Sequence, residues 1–303
     1  LKETIDEFNV IKGGAIVVMQ PSTCDVLAMA SYPDFNLNDP YAAPPGEDES
    51  TWIGNTEENV KKLYETVWRN KALTDTYEPG STFKSITAAM GIEEGRINKN
   101  SIVSDAPLDL SGWQIRCWRK YQDHGSETFA DAVKNSCNPV FSKLALDIGI
   151  DKFYEYIEAF GFKSKTGIVL SGEANSIFHT NPTEIDMAVT SFGQRVQITP
   201  IQLATAYCSI ANGGKLMKPR IVKEITDSNG IVVKSYESQV VRQVISESTS
   251  KELMNMLEQV VASGTGSNAY VSGYRVAGKT GTSQTTTSET DGRYIASFCG
   301  IAP

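Results

Sequence analysis

No run in this 303-residue chain approaches the roughly 18 to 20 apolar residues of a membrane-crossing helix, and no stretch has the make-up of a secretory leader. Positive charge is also short. Lysine and arginine number 28 against 36 acidic residues, a net charge of −8, and the densest basic cluster is Arg116, Arg119 and Lys120. Nucleic-acid binding is excluded as a main role, because neutralising phosphates needs a basic face. Cysteine is scarce and odd in number, with five at positions 24, 117, 137, 208 and 299, so a complete disulfide framework is impossible. What is present is ordinary: 40% apolar and 21% charged residues exclude disorder for most of the chain and supply a core. The length suits one large domain or two closely packed ones.

Local patterns divide the chain. Residues 14–20 and 25–31 read as strands joined by a hairpin turn at Pro21-Ser22-Thr23-Cys24. Residues 33–58 are rich in Pro, Asn, Asp, Gly and Glu and read as loop. Pro79-Gly80 breaks the chain before a helix from Ser81 to Glu93. Residues 101–127 are irregular, and 128–148 are helical with an interruption at Pro139. Further helices are predicted at 151–160, at 200–211 (stopped by Asn212-Gly213-Gly214) and at 247–263. A hairpin turns at Ser228-Asn229-Gly230. Residues 274–282 and 293–302 read as a strand pair around a polar Thr/Ser-rich loop. Strands first, helices in the middle and strands last predict an α+β fold. A single domain over 1–303 is expected. Its antiparallel sheet would be assembled from about 12–35 and 220–303, and its helical part from about 60–215.

Three short motifs carry chemistry. In Ser81-Thr82-Phe83-Lys84, positions i and i+3 of a helix share a face, so the lysine amine can reach the serine hydroxyl. Serine is a weak nucleophile without a base beside it, and lysine serves only if burial or a second cation lowers its pKa. The helix start adds backbone N–H donors for a developing oxyanion. In Ser136-Cys137-Asn138, a hydroxyl able to relay a proton stands near an amide able to bind a substrate carbonyl. In Lys279-Thr280-Gly281-Thr282, strand alternation puts Lys279 and Gly281 on one face and Thr280 and Thr282 on the other. Gly281 leaves room for a close backbone approach. Singly, each motif has an ordinary reading as a helix start, a cap or a turn.

Together and in this order, the motifs resemble those of the penicillin-interacting serine transpeptidases. Asn70-Lys71-Ala72 with Tyr77-Glu78-Pro79-Gly80, the lead-in from Gly14 to Pro33, and Phe192-Gly193-Gln194 through Thr199-Pro200-Ile201-Gln202-Leu203 look like class B penicillin-binding proteins. The resemblance covers about residues 12 to 303, and Tyr77-Glu78-Pro79 with Ala296-Ser297-Phe298 looks like the division and sporulation type. It implies a peptidoglycan D,D-transpeptidase. Ser81 would attack the D-Ala-D-Ala bond of a stem peptide with Lys84 as base. Ser136 and Asn138 would move a proton and hold the substrate amide. Lys279, Thr280, Gly281 and Thr282 would face the substrate carboxylate and backbone, with the N–H groups of Ser81 and Thr282 as oxyanion hole. β-Lactams would acylate Ser81. The implied setting is the extracytoplasmic face of a bacterial membrane, with a glycosyltransferase as partner in a cell-wall complex and no cofactor needed for acyl transfer. The rival activities are a D,D-carboxypeptidase, a class A β-lactamase using Glu173, and a catalytically silent scaffold.

Some features depart from that pattern. Cys24 stands in the first hairpin turn and Arg195 after Gly193-Gln194, where the family tends to carry glycine. The family also carries a membrane anchor, an N-terminal domain, and a further strand and helix after a strand like 294–302, so more protein is expected beyond this sequence. Cys117, Asp123, His124 and Cys137 fall within 21 residues and could hold a structural Zn2+. The alternatives are two unpaired thiols or a Cys117–Cys137 disulfide. Trp113 and Trp118 are expected as partly buried loop aromatics, His179 as merely solvated, and Cys208 and Cys299 as core.

Overall fold

The computed structural model describes residues 1–119, 124–284 and 292–302. In chain order the elements are α1 (Lys2–Glu7), β1 (Gly14–Gln20), β2 (Asp25–Tyr32), α2 (Glu57–Thr66) and α3 (Lys71–Thr74). A 3-10 turn, Gly80–Phe83, leads into α4 (Lys84–Glu93). Then come β3 (Ile102–Ser104), β4 (Leu108–Leu110), β5 (Trp113–Ile115), β6 (Ser126–Thr128), α5 (Phe129–Asn135), α6 (Asn138–Ile148), α7 (Ile150–Ala159) and α8 (Glu184–Thr190). The chain continues with α9 (Pro200–Ala211), β7 (Lys215–Met217), β8 (Glu224–Thr226), β9 (Val232–Ser235), β10 (Val240–Gln243), α10 (Glu247–Ser263), β11 (Ala277–Gln284) and β12 (Tyr294–Ile301).

The α+β class holds, and the long elements fall close to where sequence periodicity places them. Three details differ. The nucleophile helix opens as a 3-10 turn before it becomes α-helical at Lys84. The break in 128–148 lies at Ser136, which has φ 60°, and not at Pro139, which sits in the first turn of α6 where a missing N–H costs nothing. The strands from the two ends do not merge: among the described residues every strand pairs antiparallel with one partner, β1 with β2 and β11 with β12. These two hairpins meet through α9, which packs against β1 and β12. Helices α1, α2, α3 and α8 and the short strands β3–β7 and β10 were not anticipated; α2 is nonetheless a ten-residue helix capped by Thr56. The polar loop expected between β11 and β12 falls largely outside the described residues.

The core forms around α4, whose residues from Lys84 to Gly91 are all buried. Helices α5, α6 and α10 surround it. Phe83, Phe129, Phe141, Phe153, Phe160 and Phe162 are all sealed from solvent, with Phe83 against Phe162 and Phe129 against Phe141 at 5.3 and 5.8 Å between ring centroids. A helix buried all round must place its polar groups. Thr87 donates to the Ser191 carbonyl at 2.7 Å, and the Tyr207 hydroxyl on α9 donates to the Thr82 carbonyl at 2.7 Å and lies 2.8 Å from Ser85 Oγ. Helix α9 itself opens with Thr199 and Gln202 in a capping box and Pro200 in its first turn.

The far end of α4 is tied to the start of α10 by one carboxylate. Glu93 Oε2 accepts from the Ser246 backbone N–H and hydroxyl, both at 2.8 Å, and from Thr249 Oγ1. Burial pushes this carboxyl up, but the hydrogen bonds outweigh it and hold the group below its ordinary range. Glu93→Ala should cost about 2 kcal/mol in denaturant unfolding at neutral pH. The loss should shrink as pH falls through the carboxyl's depressed folded pKa, since protonation already removes part of the contribution.

Candidate active site

The first two motifs meet on one amine, and the third joins them through Ser136. Lys84 Nζ lies 3.0 Å from Ser81 Oγ, one turn back along the chain, and 3.0 Å from Ser136 Oγ. It also donates to the Ser136 carbonyl at 2.7 Å and to Asn138 Oδ1 at 2.6 Å. Carbonyl oxygens only accept, so these two contacts consume two N–H bonds. In the neutral amine that leaves the nitrogen lone pair directed to a serine hydroxyl. A second amine completes the cluster: Lys279 Nζ, on β11, is 3.0 Å from Ser136 Oγ and donates to the Thr280 carbonyl at 3.2 Å. Ser136 thus bridges both lysines.

Both amines are sealed from water, Lys84 at 1% and Lys279 at 0% exposure. Burial, and then the charge of Lys279, holds Lys84 well below the ordinary lysine range. Burial alone brings Lys279 down to about 7. The ring of Phe141 lies 5.6 Å from Lys84 Nζ and keeps water off that side.

Backbone packing sets the geometry. Gly80 has φ 56°, and a Cβ there would lie 2.8 Å from the Thr282 carbonyl oxygen. A Cβ on Gly193 would lie 2.1 Å from the Gly80 carbonyl oxygen, and the Gly80 N–H donates to the Gly193 carbonyl at 2.9 Å. A Cβ on Gly281 would meet Ser297 Oγ at 2.4 Å and the Pro79 carbonyl oxygen at 2.7 Å. Only glycine allows these three crossings, which press the Ser81 turn against β11. Ser81 is the second residue of its turn, so its N–H has no partner inside the helix. Along β11 the expected alternation appears: Lys279, Gly281 and Ser283 are buried, Thr280 is half-buried and Thr282 is exposed.

Sequence reasoning missed the bracing residues. Phe141 and Tyr207 look like ordinary core positions, although a tyrosine inside an apolar helix signals a buried hydroxyl that needs a partner. Glu78 was noted only as part of a motif. Its Oε1 accepts from the Arg195 N–H at 2.8 Å, and burial raises its carboxyl pKa. Arg195 keeps a glycine-like backbone, with φ 57°, and stacks 5.6 Å from the ring centre of Trp113.

Several expectations need correction. Among the described residues no group of three or more His, Cys, Asp or Glu side chains is placed to hold a metal ion, and Cys117, His124 and Cys137 are not brought together as one. Asp123, the fourth expected ligand, lies outside the described residues. Cys137 is instead the buried residue before α6, its thiol pushed up to about 12 by burial. The His124 backbone N–H is held by Asp105 Oδ2, and Cys117 and Cys137 are not bonded to each other in this structure. Trp113 and Trp118 are 61% and 53% exposed and not partly buried. His179 is not merely solvated, since its Nε2 lies 3.5 Å from Asp186 Oδ1. Cys299 is only half-buried, packed at the edge of the core. Glu173 is buried and accepts from the Thr166 N–H at 2.7 Å, a loop-fastening contact.

Residues 14–303 match the model of the penicillin binding protein transpeptidase domain. The chain belongs to the penicillin-binding transpeptidase family. Its relatives bear out the class B resemblance and the division and sporulation type. It is 40% identical to stage V sporulation protein D of Bacillus subtilis, over 96% of this chain and 43% of that protein. It is 28% identical to the peptidoglycan D,D-transpeptidase FtsI of Escherichia coli K12, over 98% of this chain and 45% of that one. The chain thus spans less than half the length of these curated relatives. Among solved structures, penicillin binding protein 3 of Mycobacterium tuberculosis, complexed with aztreonam, superposes with a TM-score of 0.82 at 26% identity, covering 99% of this chain and 65% of that one. No helix among the described residues is long and apolar enough to cross a membrane.

The depressed Lys279 amine fixes a pH dependence. The unfolded chain holds this proton up to about 10.4, while the folded chain releases it near 7. Between those values the unfolded state binds more protons, so this group makes stability rise with pH, by up to about 1.4 kcal/mol per pH unit. Replacing Lys279→Met should remove that part of the slope, measured as the difference between wild-type and variant unfolding free energies from pH 7 to 8.5.

Proposed function

We propose that this domain is a serine D,D-transpeptidase that cross-links peptidoglycan stem peptides through an acyl-enzyme on Ser81. The observation that carries the reading is the single buried amine, Lys84 Nζ, held among Ser81, Ser136 and Asn138. Ser81 Oγ attacks the carbonyl between the two terminal D-alanines and gives its proton to the Lys84 lone pair. The oxyanion is received by the N–H groups of Ser81 and Thr282, brought close by the Gly80 crossing. Collapse breaks the peptide bond. The leaving amine of D-Ala takes a proton from the Lys84–Ser136 pair, with Lys279 supplying positive charge beside Ser136 Oγ. An acceptor amine on a neighbouring stem then attacks the ester, its proton returning through Lys84, and Ser81 is released.

Exposed Thr282 and half-buried Thr280 line the side of β11 where the substrate carboxylate and backbone would lie. β-Lactams present a similar strained amide and would stop at the ester. The reading calls for no cofactor, because nucleophile, base and oxyanion donors all come from the chain. It also places the domain on the extracytoplasmic face of a bacterial membrane, beside a glycosyltransferase in division or sporulation. Hydrolysis of the acyl-enzyme by water, a D,D-carboxypeptidase, uses the same groups and differs only in the acceptor. A silent scaffold would have no use for two buried lysines.

A fluorescent penicillin followed by peptide mass spectrometry tests this reading. One label per chain on Ser81 is expected, and none in Ser81→Ala. Lys84→Met should slow labelling by about 10²- to 10⁴-fold while Tm stays near or above wild type. A wild-type-like labelling rate in that variant would remove Lys84 as the base. With the wild type, labelling should fall as pH drops and the amine takes up a proton.

A further inference from the structure

Two buried cysteines remain outside the catalytic cluster and outside everything used above. Cys24 sits at the tip of the β1–β2 hairpin, and Cys208 lies on α9, 184 positions later. They pack into one small cluster with Met217 and Met19, at 0% and 6% exposure. The two thiols share this cluster and are unbonded in this structure, and the neighbouring Cys24 raises the Cys208 thiol.

Independent contacts fasten the turn that carries Cys24. The Asn212 side-chain amide, just past α9, donates to the Pro21 carbonyl at 3.0 Å. The Arg220 N–H donates to the Cys24 carbonyl at 3.0 Å, and the Arg220 guanidinium grips both oxygens of Asp25 at 2.5 and 2.7 Å. The turn is therefore clamped to the segment beyond α9 on both sides of Cys24. Cys24 itself adopts φ 55°, a conformation that suits glycine, so a side chain stands there at a conformational disadvantage.

We propose that Cys24 and Cys208 form a structural disulfide that tethers the first hairpin to α9. The bond forms as the domain folds, by exchange with an oxidised dithiol of the thiol–disulfide oxidoreductase class. One cysteine thiolate attacks the oxidant's disulfide and forms a mixed disulfide. The second cysteine sulfur displaces it, leaving Cys24 Sγ bonded to Cys208 Sγ. Two electrons and two protons end on the oxidant as its dithiol. The closed cluster then shields the bond from reductants. A reactive or redox-sensing role fits poorly, because the Cys24 contact and burial both hold the Cys208 thiol far above the reactive range. An oxidising setting outside the cytoplasm rests on the proposed function, but the bond is read without any β-lactam, so the two can fail separately.

The test uses the full-length protein, produced once by export through a cell membrane and once in a reducing cytoplasm. Each sample is unfolded in excess iodoacetamide, digested without reduction and mapped by mass spectrometry. In the exported sample a linked peptide joining Cys24 to Cys208 is expected, splitting on reduction, with alkylation lost at both positions. Its Tm should exceed that of the protein produced in the reducing cytoplasm by roughly 5 °C. Cys208→Ala should abolish this redox-dependent difference. Full alkylation of both cysteines in exported protein, or a redox-dependent Tm that survives in Cys208→Ala, would overturn the proposal.

Discussion

A lysine with no access to water is the constraint on which this structure turns. A buried ammonium is costly, so Lys84 must either lose its proton or find acceptors on every side. The fold provides for both. Helix α4 is buried along its length, which strips the amine of water, and Ser81, Ser136 and Asn138 are drawn in to satisfy it. Lys279 comes from the far end of the chain and shares Ser136 with Lys84, which makes a second charge in the same space unfavourable. The same arrangement that removes the proton from Lys84 aims its lone pair at a hydroxyl. Stability and chemistry pull against each other here, and the aromatic core around Phe141 and Phe83 carries the burden.

The surrounding elements serve this cluster. Ser136 adopts a left-handed conformation that ends α5 and turns the chain so that both its hydroxyl and its carbonyl reach Lys84. The interruption between α5 and α6 is thus a device for aiming two oxygens of one residue at the same amine. Tyr207 reaches across from α9 to hold the carbonyl of Thr82, fastening the turn from behind.

Much of this was legible in the sequence, for a physical reason. The Ser81–Lys84 contact depends on one helical turn, and the facing of Lys279, Gly281 and Ser283 depends on strand alternation, both set by local geometry. The limits of the long helices followed from capping residues and apolar spacing, as with Thr199 and Gln202 at α9. The convergence of Ser81, Ser136 and Lys279 was suggested only by resemblance, since no local rule brings residues so far apart into one cluster. The zinc reading shows the converse. Cys117, His124 and Cys137 are near in sequence, but among the described residues no three such side chains are grouped to hold a metal ion, and Cys137 is a buried residue at the start of α6.

The glycine crossings at Gly80, Gly193 and Gly281 divide the cleft into a part that can vary and a part that cannot. Where main chain presses on main chain, side-chain substitution has nothing to adjust, so the placement of Ser81 is inherited with the fold itself. Variation in what the cleft accepts is left to the rim: exposed Thr282, and the Trp113–Arg195 stack beside Glu78. Drift in ligand preference has its room there, while the reacting atoms keep one geometry.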